Sequence, residues 1–147
     1  MNASDYDLNS VHGVVMSKYQ TFLDSHRLQV IAHEYSPEQF GNSFVTLKSE
    51  NIALVITVDR GPMIVEVGPD DDEDHLFELS LLLEYLKRLP SGPFPCRLDE
   101  MSRIIDLLDT NWQAIESAFL PDNYETTAEG LFRISKERMQ INASSET

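Results

Sequence analysis

Cysteine is nearly absent from this chain: Cys96 stands alone, which excludes an internal disulfide and a zinc site built on several thiolates. Long apolar runs are missing as well. A membrane-spanning helix needs roughly 20 apolar residues, and the longest candidate, Leu76 to Leu89, is interrupted by Glu78, Glu84, Lys87 and Arg88. The first ten residues carry Asp5 and Asp7 where a secretory signal would have a basic stretch and then an apolar one, so the protein is expected to stay in the cytoplasm. The N-x-S triplets at Asn2 and Asn142 then carry no weight as glycosylation acceptors.

Positive charge is scarce. Lys and Arg together number 11 against 25 Asp and Glu, for a net charge of −14. The deficit is uneven: residues 1–69 hold 8 acids and 4 bases, residues 70–130 hold 15 and 4, and residues 131–147 hold 2 and 3. An acidic surface repels phosphate backbones, which argues against nucleic acid as a partner, and its long-range field speeds encounter with a cationic protein. The plainer account is that the charge serves solubility alone.

Motifs for chemistry are also missing. There is no G-x-S-x-G elbow, no G-x-x-x-x-G-K-[ST] phosphate loop, no H-E-x-x-H and no G-x-G-x-x-G. His12, His26, His33 and His75 are well separated, and none stands at metal-ligand helical spacing from a carboxylate. Cys96, in Pro95-Cys96-Arg97, reads as a small apolar filler, although a thiolate paired with a distant histidine is a formal alternative. No catalytic residue, metal or cofactor is therefore expected.

What is present suffices for a core. A chain of 147 residues with 41% apolar content is the size of one domain, able to bury roughly 68–70% of the surface its unfolded form exposes. Val11, Val15, Tyr19, Phe22 and Leu23 recur at three- and four-residue spacings and predict a helix from about Leu8 to Ser25, weakened by Gly13. Four strands follow: about Leu28–Tyr35, Ser43–Lys48, Ile52–Asp59 and Met63–Val67. Short turn strings separate them, and connections so short join antiparallel neighbours. A leucine-rich helix is predicted from about Asp74 to Arg88, then a rigid link containing Pro90, Pro93 and Pro95, which fix an extended backbone. Met101, Ile105, Leu108, Trp112, Ile115 and Phe119 mark a third helix from about Leu98 to Phe119, ended by Pro121, and a last, shorter one spans about Thr127 to Gln140. The expected fold is α+β: an N-terminal helix, a four-stranded antiparallel meander, then three helices packed against the sheet, in one domain over 1–147 with 1–7 and 142–147 frayed.

Two acidic features stand out. Asp70, Asp71, Asp72, Glu73 and Asp74 run together before a helix. Asp70, Asp72 and Asp74 match the first ligand positions of a calcium loop, but His75 replaces its glycine and Leu81 its bidentate glutamate, so that reading largely fails. Carboxylates at a helix start cap free N–H groups, each worth ~0.3–1 kcal/mol. One or two would serve; five adjacent ones repel each other, and the excess points to a binding role. On the third helix Asp99, Asp106, Asp109 and Glu116 fall opposite the apolar stripe, relieved only by Arg103 and Gln113. A solvated face accounts for them too. The string Tyr35-Ser36-Pro37-Glu38-Gln39-Phe40-Gly41-Asn42 reads as turn chemistry with Phe40 packed under the loop, or else as a contact loop exposing Tyr35 and Phe40.

With the S-P-E-Q-F-G-N-S loop, the D-R-G hairpin and the acidic helix start in view, the chain resembles, in size, acidity and α+β make-up, the immunity proteins that accompany secreted bacterial toxins. The resemblance is one of general character over the whole chain and assigns no individual residue. It implies an inhibitor whose acidic surface covers the basic substrate cleft of a cognate toxin, often a nuclease. The expected function is thus a module that binds a basic protein partner through Asp70, Asp71, Asp72, Glu73, Asp74, Asp99, Asp106, Asp109 and Glu116, with neither nucleic acid nor membrane as partner. Two alternatives stay open: a small enzyme with a site between sheet and helices, using Glu38, His33 or Cys96, and a self-associating adaptor that uses the sheet edge or the apolar side of the last helix.

Overall fold

The computed structural model describes residues 6–69 and 75–145. Its centre is an antiparallel sheet in the order β1-β2-β3-β4-β5, each strand beside the next in the chain: β1 Gln29–Ser36, β2 Asn42–Lys48, β3 Ile52–Val58, β4 Met63–Pro69 and β5 Phe77–Glu78. The expected meander is there, with a two-residue fifth strand added at its edge. Its turns follow from local chemistry. Between β1 and β2 the chain reverses through left-handed Phe40 (φ 61°) and Gly41 (φ 71°), and between β3 and β4 through Arg60 (φ 56°) and Gly61 (φ 111°). Asn42 ties these two loops together, its Oδ1 accepting from the Arg60 N–H at 2.8 Å.

Period-two alternation decides which sheet face is buried. Val45, Leu47, Ile52, Leu54, Ile56, Val65 and Val67 point to one side and are almost fully enclosed. Phe44, Thr46, Val55, Thr57 and Glu66 point to the other and remain partly exposed, so helices cover one face only. β1, at the sheet edge, is exposed over most of its length and carries a register shift between Val30 and Ala32 that leaves Ile31 bulged outward.

The single N-terminal helix expected from the spacing is two helices, α1 Val11–Lys18 and α2 Gln20–Ser25. The break is at Tyr19 (φ −124°, ψ 28°), whose side chain is hydrogen-bonded to Ser102. It re-aims the chain so that Phe22 meets Trp112 edge-on at 5.9 Å. Ser10 caps α1, its Oγ accepting from the Gly13 N–H at 2.9 Å. Gly13 is required there rather than merely tolerated, because a Cβ would lie 1.8 Å from the Asp7 carbonyl oxygen.

The leucine-rich segment also departs from expectation. Phe77 and Glu78 pair with Val67 and Glu66 on the free edge of β4, and only α3, Leu79–Tyr85, is helical. Lys87 then adopts φ 59°, and the Arg88 N–H closes the helix end on the Leu83 carbonyl at 2.7 Å. The proline link leads back to the sheet, where the Met63 N–H donates to the Cys96 carbonyl at 2.7 Å. A 3-10 turn, Leu98–Glu100, enters α4, Met101–Ala118, whose apolar stripe is buried as its spacing predicts.

The last helix is longer than expected: α5 runs Pro121–Ser145, with Pro121 in its first turn, where a missing N–H is harmless. Residues 1–5 and 146–147, within the ends expected to fray, lie outside the described residues. α5 docks through buried Leu131 and through Gly130, where a Cβ would sit 2.3 Å from the Tyr85 ring. Replacing Gly130 by Ala forces that ring aside, and such overpacking typically costs ~1–3 kcal/mol. Urea unfolding of Gly130→Ala should show a lower midpoint; an unchanged one would mean that α5 is not seated on α3 this way.

Candidate functional site

α4 carries acids at 106, 109 and 116, spacings that return to one flank of a helix. That flank faces α2. His26, only 14% exposed, stacks on Trp112 at 4.3 Å, and its Nε2 lies 2.6 Å from Asp109 Oδ1. An ionised carboxylate only accepts, so the imidazole N–H is the donor. Asp106 lies close enough to Tyr19 to matter electrostatically: burial raises the Tyr19 pKa, the Ser102 hydrogen bond opposes this, and the Asp106 charge adds to the rise. Asp24, on α2, extends the acidic character and accepts from Gln20 Nε2 at 3.3 Å. α2 was not foreseen in this role, because the His26–Asp109 contact joins residues 83 apart in sequence, beyond any helical or strand periodicity.

The molecule's own bases neutralise part of this surface. Asp99 lies 3.4 Å from Arg97, and Glu100 lies 3.5 Å from Arg97 and 3.0 Å from Arg103. Glu100 has a lowered pKa, first because the Cys96 N–H donates to it and then because of the two arginines. Asp106 and Glu116 differ: among the described residues no base stands within 4.0 Å of either. On its other side Asp106 shares a cavity of about 460 Å³ with Arg88 and Arg103, beside Thr110 and Asn111. Buried Asn111 is satisfied there, donating to the Leu107 carbonyl at 2.8 Å and accepting from Arg88 at 3.3 Å.

The expected acidic residues are therefore only partly gathered. Asp106, Asp109 and Glu116 share one flank. Asp99 sits in the 3-10 turn that enters α4, more than ~20 Å along the axis from Glu116 at 1.5 Å per residue, beside the end of the sheet where β4 begins. Asp70, Asp71, Asp72, Glu73 and Asp74 lie outside the described residues; the chain leaves β4 at Pro69 and returns at His75, near Tyr124 of α5. This is the end of the sheet towards which α4 runs, since Phe119 stacks on Phe77 at 6.3 Å.

The groups considered for catalysis are not brought together. His33 is on β1, three strand spacings or ~14 Å across the sheet from β4, against which Cys96 is bonded. Glu38 lies in the β1–β2 turn. Cys96 is exposed, so it is not the apolar filler its setting suggested, and Phe40 is 77% exposed with Arg60 over its ring at 5.5 Å, not packed under its loop. Among the described residues no three His, Cys, Asp or Glu side chains cluster as a metal site, and no helix is long and apolar enough to cross a membrane. His33 instead stacks face to face on His12, centroids 3.7 Å apart and planes 7° from parallel, with Tyr6 edge-on at 5.9 Å. Burial first, and the facing His33 second, lower the His12 pKa.

Comparison with protein-family models, curated proteins and solved structures finds no match to this chain.

The geometry separates structural from spare carboxylates. Asp109→Ala should cost up to about 1 kcal/mol, the range for a partly exposed pair, whereas Asp106→Ala and Glu116→Ala should stay within about 0.5 kcal/mol of the parent or be slightly more stable. Equal losses at all three in urea unfolding would make the whole flank structural. The histidine stack gives a pH dependence. A folded pKa below the ordinary 6.5 means the folded state takes up its proton less readily than the unfolded chain. The stabilising contribution is then complete above pH 6.5 and drains away as pH falls through the folded value. His12→Gln should lose less stability than the parent on going from about pH 7.5 to about pH 5; parallel curves would remove the stack from the acid response.

Proposed function

We propose that the protein is a binding module for a cationic protein, docking through the acidic flank of α4 together with the Asp70–Asp74 run. The observation that carries this reading is the pair Asp106 and Glu116: exposed or half-buried carboxylates with no base among the described residues within 4.0 Å, although Asp106 shares a cavity with Arg88 and Arg103. Such charges add nothing to folding and cost a few tenths of a kcal/mol when like neighbours face each other on a helix. Their physical use is at a distance. A field of one sign steers an oppositely charged partner and raises the rate of encounter more than the strength of the final complex.

The make-up of the chain fits an inhibitor of the immunity-protein kind, covering a basic cleft in a toxin that would otherwise hold a phosphate backbone. In that role Asp106, Asp109 and Glu116, with Asp70, Asp71, Asp72, Glu73 and Asp74, stand in for the substrate's negative charge. Asp99, tied to Arg97 at the far end of α4, serves the rim at most. Rigid elements hold the three helix acids, and Trp112 and Phe22 below the flank fix the α2–α4 angle.

Affinity capture from the native cell followed by stopped-flow association with the captured protein tests the proposal. The association rate should fall steeply with added salt, and the triple change Asp106→Asn, Asp109→Asn, Glu116→Gln should slow it by roughly tenfold or more while dissociation changes little. A partner of neutral or acidic surface, or an association rate indifferent to both salt and the triple change, ends this reading.

A further inference from the structure

Beyond buried Leu131, α5 carries no further buried residue up to Ile141, and it displays Phe132 at 57%, Met139 at 63% and Ile141 at 67% exposure. Phe132, Lys136 and Met139 follow one another at i, i+4 and i+7, so they stand on one face of the helix. That face borders a cleft of about 530 Å³ between α5 and the corner where β5 becomes α3. Phe77 and Leu81 give the cleft an apolar floor, and Phe77 already meets Phe132 edge-on at 5.9 Å.

The far rim of the cleft is acidic in an unusual way. Glu66 and Glu78 are direct cross-strand partners in the β4–β5 ladder, and like charges so placed are destabilising. Among the described residues no base stands within 4.0 Å of either, and Arg138, which also lines the cleft, is turned to Glu84 at 3.4 Å and to the Ser80 carbonyl. A cleft with an apolar floor and a paired carboxylate rim fits an amphipathic helix bearing apolar side chains and a lysine.

The chain itself supplies such a helix. Residues 131–147 hold 2 acids and 3 bases, whereas residues 1–130 hold 23 acids and 8 bases, so this is the stretch through which two copies approach with least repulsion. We propose that two copies of this chain associate through the C-terminal half of α5, Phe132 and Met139 of each entering the cleft of the other while Lys136 reaches the other copy's Glu66–Glu78 pair. Because α5 is both wall and guest, the contact is two-fold symmetric and closes on itself. It uses a surface apart from the acidic flank of α4 and does not depend on the partner inferred above.

Sedimentation equilibrium of the full chain at physiological salt, from low micromolar to near-millimolar concentration, tests it. A monomer–dimer equilibrium is expected. Lys136→Glu, Glu78→Lys and the double change Phe132→Ser with Met139→Ser should each weaken it by roughly tenfold or more, with far-UV circular dichroism unchanged because these side chains are exposed. Combining Lys136→Glu with Glu78→Lys in one chain re-forms the pairs in reverse polarity and should restore dimerisation. Overturning results are a monomeric mass throughout the range, a combined variant no better than its singles, or a monomeric parent whose cleft takes up an unrelated basic peptide; the last would assign the cleft to a foreign partner.

Discussion

Leu54, Ile56, Val65 and Val67 turn one face of the meander into an apolar floor that must be roofed, and the placement of α1, α3 and α4 in one shared core answers to that requirement. Each such side chain contributes on the order of 1.5–3 kcal/mol when fully buried. α4 lies with its apolar stripe down and its polar side outward, which fixes where its charges point. α3 is enclosed at Leu79, Leu81, Leu82 and Leu83 because it has neighbours on more than one side, the sheet below and α5 beyond. The other sheet face is left half-covered by its own Phe44, Thr46, Val55 and Thr57.

What was readable in the sequence is what repeats locally. The four-three spacing of Met101 to Phe119 specifies a helix and its buried side, and the turn strings around Gly41 and Gly61 specify reversals, so α4 and the meander were foreseen. What was not readable depends on partners distant in the chain. Phe77 and Glu78 look like the start of a leucine-rich helix until the free edge of β4 is beside them. Tyr19 has helical neighbours on both sides, and its non-helical conformation accompanies a bond to Ser102. The same holds for function: the spacing of Asp106, Asp109 and Glu116 was legible, but the partial engagement of Asp109 by His26 was not.

The charge of the molecule is organised more finely than its total suggests. On α4 Asp109 faces His26 at the end of α2, while Asp106 shares a cavity with Arg88 and Arg103. The net −14 is thus spread unevenly, with residues 131–147 leaning positive. A partner that reads such a surface responds to the local field more than to the overall charge, since screening at physiological salt confines each patch to about 8 Å.

Trp112 is the chain's one tryptophan and lies where α2 and α4 meet, under the His26 ring and against Phe22. The protein therefore carries an intrinsic optical probe at its most informative junction. Ultraviolet emission from a single indole reports on whether the two helices remain apposed, and on anything that lands on the carboxylates above them, with no label attached.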